Sequence, residues 1–258
     1  SNLSLASDAK TADGSTNYYK EILNRRSAYV WWTGHNATNT NAGSKVAGTT
    51  FVGGTAVQSL SLVNGRDGAT PSNADYINGY NFFKNTEEVD CSFVLGASAN
   101  QTRAVHLVNQ IAEYRKDCLA VLSPEKGDVV DNLLFSGSEA EDIVAFRNTL
   151  PSSSYAVFDS GWKYQYDKFN DLYRHVPLNG DTACTMVRTD KVRDPWYSPA
   201  GFNRGQLKNV IKLSYNPNKS ERDVLYKSGV NPVTTFPGQG TVLFGDKTML
   251  SKPSAFDR

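Results

Sequence analysis

Histidine, cysteine and methionine are scarce: the 258 residues hold three, three and two of them. That removes most of the side chains used for proton shuttling, thiol chemistry and soft-metal ligation. His35 lies in a Gly/Asn-rich stretch, His106 between Val105 and Leu107, and His175 in an aromatic segment. No Gly-x-Ser-x-Gly elbow accompanies them, so a Ser-His-Asp triad has no support in the sequence. Cys91, Cys118 and Cys184 are odd in number and widely spaced, which excludes a disulfide framework. Each sits among apolar residues and reads as a small buried hydrophobe, in keeping with a reducing compartment at synthesis. Cys-x-x-Cys, His-Glu-x-x-His and Asp-rich calcium loops are all missing. No metal or cofactor is expected.

Long apolar runs are also missing. The longest, residues 28–32 and 118–122, fall far short of the roughly 20 residues of a membrane span. No signal peptide or lipid-attachment motif is visible. Net charge is only +1 but unevenly spread: −1 over residues 1–130, −4 over 131–187 and +6 over 188–258. The basic third scatters its Lys and Arg among Pro, Gly and aliphatics, with no compact run of the kind nucleic acid binding favours. The two charged parts suit complementary patches between copies of the protein. The chain opens on Ser1 and closes on Arg258, as a tryptic or engineered fragment does.

What is present is enough to build a core: 39% hydrophobic and 11% aromatic residues. Residues 1–17 read as a loosely packed lead-in, 17–26 as a helix, and 29–32 as a strand. Residues 33–54, mostly Gly, Asn, Thr and Ala, read as a long loop. A half-buried strand follows over 57–63, then an Asn-Gly-Arg-Asp-Gly turn over 64–68. Residues 71–84 read as a helix capped by Ser72, its Tyr76, Tyr80 and Phe83 forming a core stripe.

The clearest unit is strand 89–96, amphipathic helix 102–116 and strand 117–122, a βαβ arrangement. A second helix, 138–149, opens with the capping-box pair Ser138 and Glu141 and leads to strand 154–159. That alternation predicts an α/β domain with a mostly parallel sheet. The loop over 96–103 joins strand to helix but lacks both phosphate-binding glycine signatures. Beyond Gly161 the rhythm turns β-rich. A hairpin is expected over 162–176, an apolar stretch over 182–187, and strands over 209–215, 230–236 and 241–244. A short helix is expected over 218–227.

Several strings carry a family resemblance: SGWKYQYD (160–167), VPLNGD (176–181), DPWYSPAGFNRG (194–205), GVNP (229–232) and FPGQGTVLFGDKT (236–248). With the turn at 62–68, they resemble the tail sheath proteins of contractile-tailed, myovirus-type bacteriophages over roughly residues 55–258. The resemblance implies an α/β sheath core at 55–258, subtilisin-like in topology without the protease residues, plus a β-rich C-terminal part. Residues 1–54 are then a remnant of an adjoining sheath domain. It implies a non-enzymatic structural subunit that forms hexameric rings in a helical sheath and contracts to drive the tail tube through the host envelope. Implied partners are further copies of itself, the tube protein, and the baseplate and tail terminator proteins. It implies a place in the virion after assembly in the host bacterial cytoplasm, and an isolated core that stays monomeric.

Among the quoted strings, Trp162, Tyr164, Tyr166, Trp196 and Phe202 are read as suppliers of buried area. Arg204, Asn203, Lys208 and Arg193 are the candidate subunit-contact residues, with an intradomain role for Arg204 as the alternative. Alternative functions are the sheath of a pyocin-like or secretion-system injection machine and, from a different class, an α/β hydrolase.

Overall fold

A computed structural model describes residues 3–4, 8–32, 68–130 and 138–252. The chain divides into two units, residues 1–67 and 68–258. The loop expected over 33–54, the strand over 57–63 and most of the turn over 64–68 lie outside the described residues.

In the first unit, helix α1 (Tyr19–Arg26) forms as its pattern predicts, with a Glu21–Arg25 pair one turn apart. The strand expected over 29–32 does not form. The Asn24 side chain accepts the Trp32 N–H at 2.8 Å and donates to its carbonyl at 3.3 Å, taking the backbone groups a sheet would use. Tyr29, Val30 and Trp31 are exposed. Residues 10–16 are better ordered than their composition suggests. Lys10 and Thr16 pair as an antiparallel bridge around Asp13, whose carboxylate accepts from the Ser15 N–H and hydroxyl and from the Thr11 hydroxyl. Those donors hold its pKa down to about 2.

The second unit begins with α2 (Asn73–Asn81). Ser72 accepts from the Asp75 N–H at 3.3 Å while Asp75 accepts from the Ser72 N–H at 2.8 Å. Ser72→Ala is expected to cost about 1 kcal/mol, read as a shift in the urea midpoint. Only Tyr80 of the expected aromatic stripe packs on the core. Tyr76 instead lies under the Arg103 guanidinium, 4.4 Å from its ring centroid, and Phe83 is exposed.

The βαβ unit is present. Strand β1 (Phe93–Leu95) leads to α3 (Gln101–His106), a π-helical segment (Leu107–Ala112) and α4 (Glu113–Arg115), then β2 (Leu119–Leu122). After α5 (Lys126–Val129) and α6 (Glu139–Asn148) comes β3 (Ala156–Phe158). The order β1-β2-β3 is parallel throughout, with Val94 opposite Ala120 and Val121 opposite Val157. Leu107, Val108 and Ile111 are fully buried and share one core with Ile143, Phe158 and Leu225. Arg115 locks the crossover in place: it clasps Asp117 through two bonds and donates to the carbonyls of Phe83 and Val89.

Two small antiparallel sheets follow, so among the described residues the parallel arrangement holds for one sheet of three. Strands β4 (Trp162–Asp167), β5 (Leu172–Pro177) and β6 (Lys212–Leu213) lie in the order β5-β4-β6. Strands β7 (Val233–Phe236) and β8 (Gly240–Leu243) form a hairpin. The expected strand over 209–215 shrinks to the two residues of β6; Asn209 has φ +55°, outside strand geometry. Helix α8 (Lys219–Lys227) matches its pattern, capped by Asn218.

The stretch over 182–187 belongs to a 14-residue helix, α7 (Asn179–Val192), inside the part read as β-rich. Its inner face holds Thr182, Ala183, Thr185, Met186 and Thr189. Ala183 and Met186 cover Val121 and Val157 on the second face of the parallel sheet. Thr185 and Thr189 turn their hydroxyls back onto the carbonyls of Thr182 and Thr185, which lets β-branched polar residues fill a helix interior.

Candidate functional site

Open α/β sheets place ligands beyond the carboxyl ends of their parallel strands. Here that region is filled by the protein's own polar groups. Asp159, directly after β3, is fully buried. Its Oδ1 accepts the Gly161 N–H at 3.0 Å and its Oδ2 accepts the Ser123 hydroxyl at 2.8 Å. Ser123 Oγ in turn accepts the Asn179 N–H at 3.0 Å, and Asn179 donates from Nδ2 to the Ala97 carbonyl at 2.7 Å. The chain of bonds joins the ends of all three strands to the start of α7. Lys163 Nζ meets Asp181 at 2.8 Å alongside. Burial pushes the Asp159 pKa up to about 8.

Asp159 and Ser123 are two parts of a triad, but neither described histidine is bonded to them. His106 pairs with Asn81 at 2.9 Å on α3, and His175 with Ser214 at 2.8 Å on β5; His35 lies outside the described residues. Burial pushes the Cys118 thiol up to about 11, away from thiolate chemistry. Among the described residues no cluster of three or more His, Cys, Asp and Glu is placed to hold a metal. The amino end of α3 is occupied by this chain: Glu125 Oε1 accepts the Gln101 N–H at 3.2 Å. A Cβ on Gly96 would stand 2.6 Å from Leu122 Cδ2, so a side chain there would have to displace that buried leucine.

The candidate contact residues lie on and beside the loop between α7 and β6. Gly201 and Gly205 weave it onto β8. The Gly201 N–H donates to Leu243 O, the Leu243 N–H to Gly205 O, and the Gly205 N–H to Gly201 O. Arg204 turns inward. Its Nε donates to Ser198 O at 2.6 Å, its guanidinium sits over Tyr197, and its carbonyl accepts from Arg188. Arg193, Asn203 and Lys208 are exposed. The structure thus separates the four: three face solvent and Arg204 shapes the turn.

Of the five aromatics read as buried, only Trp162 is so; its Nε1 donates to Pro124 O at 2.8 Å. Trp196 is 77% exposed, and Tyr166 and Phe202 are exposed as well. Tyr164 and Tyr173 stack across the β4–β5 hairpin at 5.3 Å, with Tyr166 and His175 flanking them. Phe202, Phe236 and Phe244 form a second aromatic group, with centroids 5.2 to 5.7 Å apart. These are surfaces rather than reaction centres.

The second unit is thus a mixed α/β body with a buried polar network at its strand ends and aromatic groups on its surface. The family model "Phage tail sheath protein central domain" matches residues 69–249. The chain belongs to this phage tail sheath family. It is 43% identical to the tail sheath protein of Enterobacteria phage T4 over 199 residues, 71% of this chain and 30% of that protein. It is 37% identical to that of Vibrio phage KVP40 (74% and 32% covered) and 32% identical to that of Salmonella phage ViI (97% and 36% covered). The chain thus spans about a third of the length of the curated relatives it matches. Among solved structures, it is similar to the anti-feeding prophage baseplate (TM-score 0.50, 16% identity, 70% of this chain and 43% of that one covered). It is likewise similar to the anti-feeding prophage helical sheath in its contracted state (TM-score 0.50, 14% identity, 71% and 45% covered). At those identities the likeness is one of fold.

Proposed function

We propose that this chain is the α/β core of a contractile tail sheath subunit. The complete protein polymerises around a tail tube and contracts to drive that tube through the host envelope during genome ejection. The observation that carries this reading is the family match over 69–249, nearly the whole of the second unit. The named relatives are phage proteins, which favours a phage tail over a secretion machine. Its partners are further copies of itself in hexameric rings, the tube protein, and the baseplate and terminator proteins; it acts as a non-enzymatic part of the virion after assembly in the host cytoplasm. The 258 residues alone are a monomer. We read β1-β2-β3 as the nucleus of a subtilisin-like topology in which the position of the catalytic centre has become the Asp159–Ser123–Asn179 brace.

Exposed Arg193, Asn203 and Lys208 are the proposed contacts to a neighbouring copy. Their basic third meets the acidic 131–187 part of that copy, a pairing that can slide and re-form. An antibody raised against residues 68–252 is expected to decorate phage tails along their whole length in electron micrographs. Label confined to the head, or absent from particles, would overturn the reading.

A further inference from the structure

Two cysteines far apart in the sequence are brought together by the fold. Cys118 directly precedes β2, and Cys91 stands two residues before β1. The two strands are paired, with Phe93 opposite Leu119. The pairing runs on backward, where the Ser92 carbonyl accepts the Leu119 N–H at 2.9 Å. Residues on paired strands lie about 5 Å apart, inside the Cα separation of about 4.4–6.8 Å that a disulfide spans. Strict alternation would send Cys91 and Cys118 to opposite faces of the sheet. The chain bends at Ser92, however, and Cys91 packs on the same core that holds Cys118. The two thiols are within hydrogen-bonding reach of each other.

Arg115, at the end of α4, fixes both approaches. Its Nη2 donates at 2.9 Å to the carbonyl of Val89, two residues before Cys91. Its Nε donates at 2.8 Å to Asp117, the neighbour of Cys118. One guanidinium thus ties together the entries to both strands, and it stands beside both thiols. Access to the pair is graded: Cys118 is only 5% exposed, whereas Cys91 is partly exposed. The third cysteine, Cys184, is exposed on α7.

We propose that Cys91 and Cys118 form an oxidisable dithiol that closes to an internal disulfide on meeting a low-molecular-weight disulfide such as oxidised glutathione. Cys91, the more accessible thiol, loses its proton and attacks one sulfur of the oxidant. One glutathione leaves as its thiolate, and a mixed disulfide remains on Cys91. Cys118 then loses its proton and attacks the Cys91 sulfur, releasing the second glutathione. One disulfide is consumed and one is formed; the cysteine pair gives up two electrons and the glutathione gains them. Burial holds the Cys118 thiol up to about 11, against the opposing pull of Arg115, so the second step is the slow one and speeds up with pH. The site rests on these residues and is independent of the sheath reading.

The test incubates the 258-residue chain carrying Cys184→Ser with oxidised glutathione, without denaturant, and reads an unreduced tryptic digest by mass spectrometry. The expected product is the Cys91 peptide linked to the Cys118 peptide, with no glutathione retained, forming about tenfold faster or more for each pH unit through the neutral range. Cys91→Ser in the same background is expected to leave Cys118 unmodified over the same period. A lasting glutathione adduct on Cys91, two thiols that stay free, or a link that forms only in urea overturns the proposal. So does modification of Cys118 in the Cys91→Ser chain, which would mean that opening of the core, and not contact between the two thiols, drives the reaction.

Discussion

Asp159→Asn is expected to stabilise the protein progressively as pH rises from about 4 to about 8. Folded Asp159 keeps its proton to about pH 8, whereas its ordinary pKa is 3.8. Between those values the folded state binds more protons than the unfolded one. Raising the pH therefore favours unfolding, by up to about 1.4 kcal/mol per pH unit from this group. The loss begins above the unfolded pKa and is complete above the folded one. An asparagine can accept the Gly161 N–H through Oδ1 and donate from Nδ2 to Ser123 Oγ, as a protonated carboxyl would, without a proton to lose. Urea midpoints of the two chains should lie closest near pH 4 and separate in the variant's favour toward pH 8. Parallel curves would mean that Asp159 is not the buried, protonated brace described above.

Gly205→Ala is expected to lose about 3 kcal/mol or more, with the urea m-value unchanged. A Cβ at this position would stand 2.5 Å from Leu243 O, 2.8 Å from Gly201 N and 2.9 Å from Gly201 O. All three are backbone atoms, so no rotamer change relieves the contact. The added methyl would push the loop carrying Asn203 and Arg204 off β8 and break the bonds that Gly205 makes with Gly201 and Leu243. Gly238→Ala is the control. It has φ +76° and nothing within 4 Å of an added Cβ, so only backbone strain of about 1 kcal/mol is expected. Equal losses in the two variants would show that the close approach at Gly205 is relieved.

These two positions differ in how far the sequence foretells them. The glycines of SPAGFNRG suggest tight turns, although not which backbone they must approach. Asp159 gives almost no signal: one Asp after a short apolar run reads like any strand end. The parallel strands and α3 are legible from their apolar period, and α2, α6 and α8 from capping boxes at Ser72, Ser138 and Asn218. Helix α7 is not, because its inner face is built of threonines, which look like strand. Residues 29–32 mislead in the opposite direction: their aromatic and β-branched side chains suit a strand, but Asn24 has already taken the Trp32 backbone. Exposed Trp196, Tyr166 and Phe202 escape the sequence reading for a related reason. Composition shows that a large apolar surface exists, while burial depends on what lies against it, and in a polymer that includes the next subunit.

The sheath assignment is tested most directly by purifying the complete protein, of which this chain covers about a third of the relatives' length, and examining it by sedimentation and electron microscopy beside the 258-residue chain. The complete protein is expected to form long hollow tubes built of stacked six-fold rings, and the chain alone to sediment as a monomer. A complete protein that stays monomeric at high concentration would contradict the account.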